Sequence, residues 1–399
     1  MSSDDRWLLP EGMEEALPPH AQRLERLRRA LLDRYGAWGY ELVMPPFVEY
    51  LESLLTGTGS DLDLQTFKVI DPLTGRLMGV RADMTPQAAR IDAHRLRRDG
   101  PVRLCYLGTV LRSRAEGFAG SRAPLQVGAE LYGHAGVESD LEIIELALET
   151  LALTGVEQVH LDLGHVGIFR GLARGAGLTM EQEGDLFDAL QRKAVPEIDD
   201  WLARMDLPAP WGERLEALAR LNGGAEMFGE AEALLAGAPG EVSAALGELQ
   251  DLAGRLAARY PDLPLHFDLA ELRGYKYHTG MVFAAFVPGH GQELARGGRY
   301  DDIGAIFGRA RPAVGFSADL KTLVSVSAEP PQAAAAAAIL APAVDDPALR
   351  AKVRELRAAG MRVIVELSAA GGDPAVLGCD RILALREGVW AAIALDDRR

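Results

Sequence analysis

The sequence predicts an α+β fold: a sheet flanked by helices over residues 1–325, interrupted by a helical insertion at about 166–260, then a small α/β domain after a linker over residues 326–399. Three observations predict it. Short apolar or alternating segments bounded by Gly and Pro recur through residues 41–163 and again through 264–317. Between them, from about Gly164 to Tyr260, the pattern is almost wholly helical and rich in Ala, Leu and Glu, with breaks near 195, 208 and 237. Beyond Ser325-Val-Ser-Ala-Glu-Pro-Pro-Gln332 and six alanines, strand-like and helix-like segments alternate once more.

Element by element, the pattern starts after Pro18-Pro19. Leu24, Leu27, Leu31 and Leu32 recur at helical spacing as far as about Tyr35, and Gly36 and Gly39 close the helix. Glu41–Glu49 reads as a short strand ending at a Pro pair. Residues 66–82 read as a hairpin about the turn Asp71-Pro-Leu-Thr-Gly75, and helical spacing resumes from Thr85 to about Leu96. Residues 102–111 and Leu125–Tyr132 read as strands joined by a connection rich in Gly, Ala, Ser and Arg. Ser139–Leu153 is an amphipathic helix and Gln158–Leu163 a strand. After the insertion, Pro264–Leu269, Thr279–Val287 and Ala313–Ser317 read as strands before a final helix. In the small domain, Ala338–Pro342, a helix over 346–359, Met361–Leu367 and Arg381–Leu385 read as β-α-β-(α)-β.

Bulk properties narrow the function classes. The 399 residues are 48% hydrophobic and 25% charged, which is ordinary for a globular chain of two or three domains. The 58 acidic residues against 42 basic ones leave a net charge of −16, which opposes extended contact with nucleic acid. Cys105 and Cys379 form no CxxC, so neither a zinc site nor a disulfide framework is indicated. No secretory signal and no run of about 18 apolar residues is visible, and a cytoplasmic protein with no membrane contact is expected. Gly-x-Ser-x-Gly and His-Glu-x-x-His are absent, so no catalytic residues, cofactor or metal are expected.

Several motifs in order carry a resemblance. Arg273-Gly274-Tyr275-Lys276-Tyr277 resembles the Arg-Gly-Leu-Asp-Tyr-Tyr signature of the histidine pocket in histidyl-tRNA synthetases, and Arg296-Gly-Gly-Arg-Tyr-Asp301 matches their Gly-Gly-Gly-Arg-Tyr-Asp. The helix, strand and Pro pair at 20–49 are similar to motif 1 of class II aminoacyl-tRNA synthetases. The strand, loop and strand that carry Arg112 are similar to motif 2, and Arg311–Thr322 to motif 3. The resemblance covers roughly residues 8–325 and implies a class II synthetase-like antiparallel sheet. It also implies a pocket for free histidine. Asp83, with Thr85, would take the amino group, Arg112 would match the Arg that meets the amino-acid carboxylate or the ATP α-phosphate, and Gln126 and Glu130 would hold the amino group and ring. Arg273, Tyr277 and His278 would complete the site. Read without the resemblance, Asp83 or Thr85 is as well explained as a cap on the helix near Pro86, and the pair Gln126 and Glu130, on one face of a strand, as solvated polar residues.

Departures from the synthetase pattern are as informative. Lys276 stands where the synthetases carry Asp, His278 where they carry a second Tyr, and Arg114 where an acidic residue lies near adenine. Thr322 occupies the place of the Arg that clamps the ATP triphosphate, and Thr cannot replace a bidentate guanidinium contact. The small C-terminal domain is shorter than the synthetase anticodon-binding domain. A kept amino-acid pocket with a lost ATP grip reads as a sensor. Arg81-Ala-Asp-Met-Thr-Pro-Gln-Ala-Ala-Arg-Ile-Asp-Ala-His94 resembles the regulatory subunits of ATP phosphoribosyltransferase, paralogues of those synthetases. That resemblance implies a non-catalytic, self-dimerising subunit that forms a hetero-oligomer with a short-form catalytic subunit. It would activate that partner at the first step of histidine biosynthesis and let histidine inhibit it. Two alternatives are a divergent histidyl-tRNA synthetase and a dimeric scaffold with a vestigial pocket.

Overall fold

Leu24, Leu31 and Tyr35 form the buried stripe of the first helix, α1 (His20–Ala37), so the three-and-four spacing read from the sequence is the face that packs inward. The structure is a computed structural model that describes residues 7–55, 60–115, 120–205, 207–271, 274–275, 277–327, 338–367 and 373–395. The short elements β1 (Glu41–Leu42), β2 (Val48–Tyr50), α2 (Leu51–Leu55), α3 (Ser60–Gln65), β3 (Phe67–Ile70) and β4 (Leu77–Val80) follow. The single strand expected at 41–49 is thus two. Pro45 and Pro46 cannot donate to a ladder and divide it: β1 joins the main sheet while β2, β4 and β3 form a separate three-stranded sheet. The expected hairpin at 66–82 is β3 and β4. The next helix, α4 (Thr85–Arg90), continues as a π-helical turn over Ile91–Leu96.

The remaining elements of this unit are β5 (Val102–Thr109), β6 (Leu125–Tyr132), α5 (Val137–Leu153), β7 (His160–His165), α6 (Val166–Gly175), α7 (Met180–Gln191), α8 (Val195–Met205), α9 (Trp211–Leu218), β8 (Asn222–Gly223), α10 (Met227–Leu234), α11 (Gly240–Arg259), β9 (Leu265–Asp268), β10 (Met281–Phe286), β11 (Ala295–Arg299), α12 (Ile303–Ile306), β12 (Ala313–Asp319) and α13 (Leu320–Val326). The main sheet has nine strands in the order β1-β5-β6-β12-β11-β10-β7-β9-β8. It is antiparallel except where β1 meets β5 and β7 meets β9. The helical stretch from 164 to 260 is α6 to α11, broken only by the two-residue β8. The sequence pattern marks neither β8 nor β11 as a strand, and β11 lies close to its neighbours at Gly297. A Cβ on Gly297 would lie 2.7 Å from the Phe283 ring and 2.8 Å from Phe316 Cβ.

Strand alternation divides the sheet into two chemistries. On β6, Val127, Ala129 and Leu131 join the large apolar core with Leu31, Tyr35, Leu141, Ile144, Phe169 and Phe316. Gln126, Gly128, Glu130 and Tyr132 therefore point to the other face, which carries the candidate site.

The chain divides into two compact units, Met1–Ser327 and Ala328–Arg399. In the second, β13 (Ala338–Ala341), α14 (Pro347–Ala358), β14 (Val363–Val365), β15 (Cys379–Arg386) and β16 (Val389–Ala394) form a sheet in the order β14-β13-β15-β16. Ile339, Leu349, Val353, Val363 and Leu383 are its own core. Asp346 caps α14 through the Ala348 amide at 2.8 Å, and its other oxygen accepts from Trp390 Nε1 at 2.5 Å. β16 pairs antiparallel with β15 and was not anticipated, because most of its residues are half-buried and its alternation is weak. Residues 328–337, most of the expected linker, lie outside the described residues. Among those described, no helix is long and apolar enough to cross a membrane.

Candidate functional site

The face of β6 opposite the core opens onto a cavity of about 550 Å³, within the range of small-molecule sites. Its floor comes from adjacent strands of the sheet: Glu130 on β6, Gly315, Phe316 and Ser317 on β12, Arg296 and Gly297 on β11, and Val282, Phe283 and Ala284 on β10. Asp83 and Thr85 line it at the entry to α4. Gly274, Tyr275, Tyr277 and His278 line it from the signature loop, and Phe187, Asp188 and Gln191 from α7 of the insertion.

Glu130 is the most enclosed charge-bearing group of the site, 1% exposed. Its Oε1 accepts from the Tyr106 hydroxyl at 2.8 Å, and its Oε2 accepts from the Tyr300 hydroxyl, which also lies 3.4 Å from that of Tyr132. Burial raises its pKa to about 8, the nearby Asp83 raises it further, and the Tyr300 and Tyr106 hydroxyls oppose the shift. Gly315 faces Glu130 across the β12–β6 register, and a Cβ there would fall on the carboxylate.

Asp83 is half-buried, and one of its oxygens is held twice. Asp83 Oδ1 accepts from the Thr85 amide at 2.8 Å and from Gln126 Nε2 at 2.9 Å. The first bond is a local side-chain turn at the helix entry, so the capping explanation of Asp83 is correct as far as it goes. Yet Asp83 also lines the cavity. Gln126 does not: it is 4% exposed and sits behind Asp83, with its Oε1 accepting from the Met84 amide at 2.9 Å. Its amide NH2 donates to Asp83 and so orients the carboxylate that lines the cavity. Thr85 Oγ1 lies 3.0 Å from the Tyr106 hydroxyl, linking the Asp83 segment to Glu130.

The other expected residues divide. Arg112 lines the cavity, and its Nε donates to the Ala82 carbonyl at 3.4 Å. Tyr277, 43% exposed, and His278, 7% exposed, line it side by side with ring centres 4.3 Å apart. Arg273 and Lys276 lie outside the described residues. Thr322, at the lost ATP clamp, and Arg122, in the motif 2 loop, are bonded within the fold. Thr322 Oγ1 donates to Asp319 at 2.8 Å, inside the cap of α13. Arg122 donates to the Arg112 carbonyl at 3.2 Å and the Glu11 carbonyl at 3.1 Å. Arg114 is exposed.

Sequence reasoning did not single out Tyr106, the partner of Glu130, or Phe187, Asp188 and Gln191. It also missed how Tyr275 is used: buried at 8% exposure, it donates to Glu183 of α7 and packs on Phe169 and Phe187 at 5.3 and 5.1 Å. Among the described residues no cluster of His, Cys, Asp and Glu suits a metal. The arrangement is one for recognition: the carboxylates of Asp83, Glu130, Asp188 and Glu271, the guanidinium groups of Arg112 and Arg296, and aromatic side chains surround one cavity.

Comparisons with known proteins agree with this architecture. Residues 12–323 match the family described as histidyl-tRNA synthetase, and residues 336–392 match the ATP phosphoribosyltransferase subunit HisZ C-terminal domain. The ATP phosphoribosyltransferase regulatory subunit of Thioalkalivibrio sulfidiphilus is 65% identical over 384 residues, covering 96% of this chain and 97% of that one. A solved structure described as an ATP phosphoribosyltransferase regulatory subunit/histidyl-tRNA synthetase from Bacillus halodurans superposes with a TM-score of 0.80 at 26% identity, over 93% of this chain and 95% of that one. A chain of the Thermotoga maritima ATP phosphoribosyl transferase (HisG:HisZ) complex, with a TM-score of 0.57 at 18% identity over 74% of this chain and 96% of that one, shares the fold.

Proposed function

Because the chain belongs to the ATP phosphoribosyltransferase regulatory subunits, a family built on the histidyl-tRNA synthetase fold, we propose that its cavity binds free histidine and that occupancy sets the activity of a catalytic partner. As a member of that family the chain is a regulatory subunit of ATP phosphoribosyltransferase in histidine biosynthesis and not itself the catalyst. The partner is a short-form catalytic subunit, held in a hetero-oligomer, activated by this chain and inhibited when histidine is bound. The protein works in the cytoplasm as a self-dimer. Exposed apolar side chains at Met44 and Phe47, in the segment that resembles motif 1, support a protein contact there.

One observation carries the effector reading. The cavity brings Asp83, Glu130 and Arg112 together around a space that admits an amino acid. An ammonium group pairs with Asp83, a carboxylate with Arg112, and a ring nitrogen with Glu130, so each polar end of histidine meets the partner its desolvation requires. The bonding of Thr322 into the α13 cap speaks against a ligase, since the ATP clamp has no counterpart there. Feedback requires a coupling of about 1–3 kcal/mol between histidine and the partner's active conformation, and the coupling is reciprocal.

The test mixes the full-length chain with a short-form catalytic subunit and follows phosphoribosyl-ATP formation with and without histidine. Activation reversed by histidine is expected. No activation of a cognate partner sinks the partner reading. Activation that histidine leaves untouched, with no histidine heat in calorimetry, sinks the effector reading. Histidine-dependent ATP–pyrophosphate exchange would return the chain to the ligases.

A further inference from the structure

Glu130 is a buried carboxyl group held by hydroxyls alone. Tyr106 of β5 bonds one oxygen and Tyr300, just after β11, the other, with Tyr132 behind Tyr300. Among the described residues no Lys, Arg or His forms an ion pair with it. Among the described residues, the charge whose influence reaches it is Asp83, of its own sign, from the entry to α4. Arg112, Arg296, Glu271 and His278 line the same cavity from the motif 2 loop, β11 and the signature loop. An ionised carboxylate so enclosed is strongly disfavoured where no cation pairs with it. A proton relieves that cost in the empty cavity, and a cationic ring relieves it in the filled one.

We propose that Glu130 holds one proton in the empty pocket and passes it to the ring of the bound amino acid, so that the site selects a weakly basic heterocycle. The inference rests on the histidine reading above. In the step, the Glu130 O–H bond breaks and a ring N–H bond forms. The product is a carboxylate–imidazolium pair in which both oxygens keep their tyrosine donors. Ring and carboxyl share one proton throughout. The carboxyl titrates near 8 when the pocket is empty, and free imidazole titrates near 6.5. Midway between those values, near about pH 7.2, binding neither releases nor takes up a proton.

The test is titration of the full-length chain with L-histidine in buffers of different ionisation heat, which counts protons exchanged. At about pH 7.2 the expected count is near zero, and at about pH 5.5 roughly one proton is released, because free imidazolium and neutral Glu130 bring two. At about pH 8.5 most of one proton is taken up, and Glu130→Gln loses that uptake. Triazolylalanine, of the same shape but with a much less basic ring, binds at least about tenfold more weakly. Half a proton or more exchanged at about pH 7.2, uptake retained in Glu130→Gln, or equal binding of triazolylalanine overturns the inference while leaving histidine as the ligand. No histidine binding at any pH overturns the histidine reading and this one with it.

Discussion

Glu130 makes stability and binding pull in opposite directions at a single residue. Its folded-state pKa, about 8, stands above that of an unfolded glutamate, near 4.3, so the folded chain binds more protons between those values. Stability from this group is complete below about pH 4 and is lost as pH rises through about 8. Glu130→Gln removes the dependence. The variant is expected to be stabler relative to the parent at pH 8 than at pH 5, by up to a few kcal/mol, read as the difference in denaturant midpoints. An unchanged difference across that window would mean that water or a cation already compensates the carboxylate. The carboxylate also depends on what faces it. Gly315→Ala pushes a methyl into the space of the Glu130 carboxyl. A cost of about 1–3 kcal/mol is expected, together with weaker histidine binding, because the carboxyl must leave its tyrosine donors. Thermal unfolding and calorimetry on that variant measure both.

Between elements, the signature loop and α7 act as one wall of the cavity, and Tyr275 joins them. Its ring packs on Phe169 and Phe187, its hydroxyl reaches Glu183, and the Arg170 guanidinium lies 4.9 Å from its ring centre. Tyr275→Phe keeps the packing and is expected to cost about 1 kcal/mol. Tyr275→Ala also leaves a void and is expected to cost about 3 kcal/mol or more. Amide exchange over Met180–Gln191 should rise sharply in the alanine variant only; equal protection in both would place the loop and α7 in separate cooperative units. This wall also shows where sequence pattern stops being legible. Strand β6 and the start of β5 read true because alternating and apolar, partly β-branched residues mark a strand, although both faces of β6 prove buried. β11 did not, since Gly297 and Gly298 erase side-chain alternation. Asp83, Thr85, Arg112, Glu130, Tyr277 and His278 were found through motif spacing, and all line the cavity. Tyr106 was not, because its bond to Glu130 spans 24 residues and exists only through the β5–β6 register. Gln126 was placed on the right face but one layer too far forward. Spacing along a strand gives direction, whereas the Asp83 side chain that covers Gln126 arrives from another segment.

Over the whole chain, two units carry separate apolar cores. The buried clusters of the first draw on residues from Leu24 to Val324, and those of the second on residues from Ala338 to Leu383. Every residue lining the candidate site, from Leu62 to Ser317, belongs to the first. Burial of apolar surface is the main favourable term in folding, so a unit with its own core and complete strand pairing retains most of its stability when separated. A chain ending at Ser327 should therefore fold, bind histidine within about threefold of the full-length affinity, and show the same proton count. Full-length protein should unfold in two calorimetric transitions, of which truncation removes one. Loss of histidine binding in a well-folded truncated chain would mean that the second unit completes the pocket or orders the signature loop. Retained binding with lost activation of the catalytic partner would instead divide the labour: the synthetase-like unit senses the amino acid, and the small α/β unit transmits its occupancy.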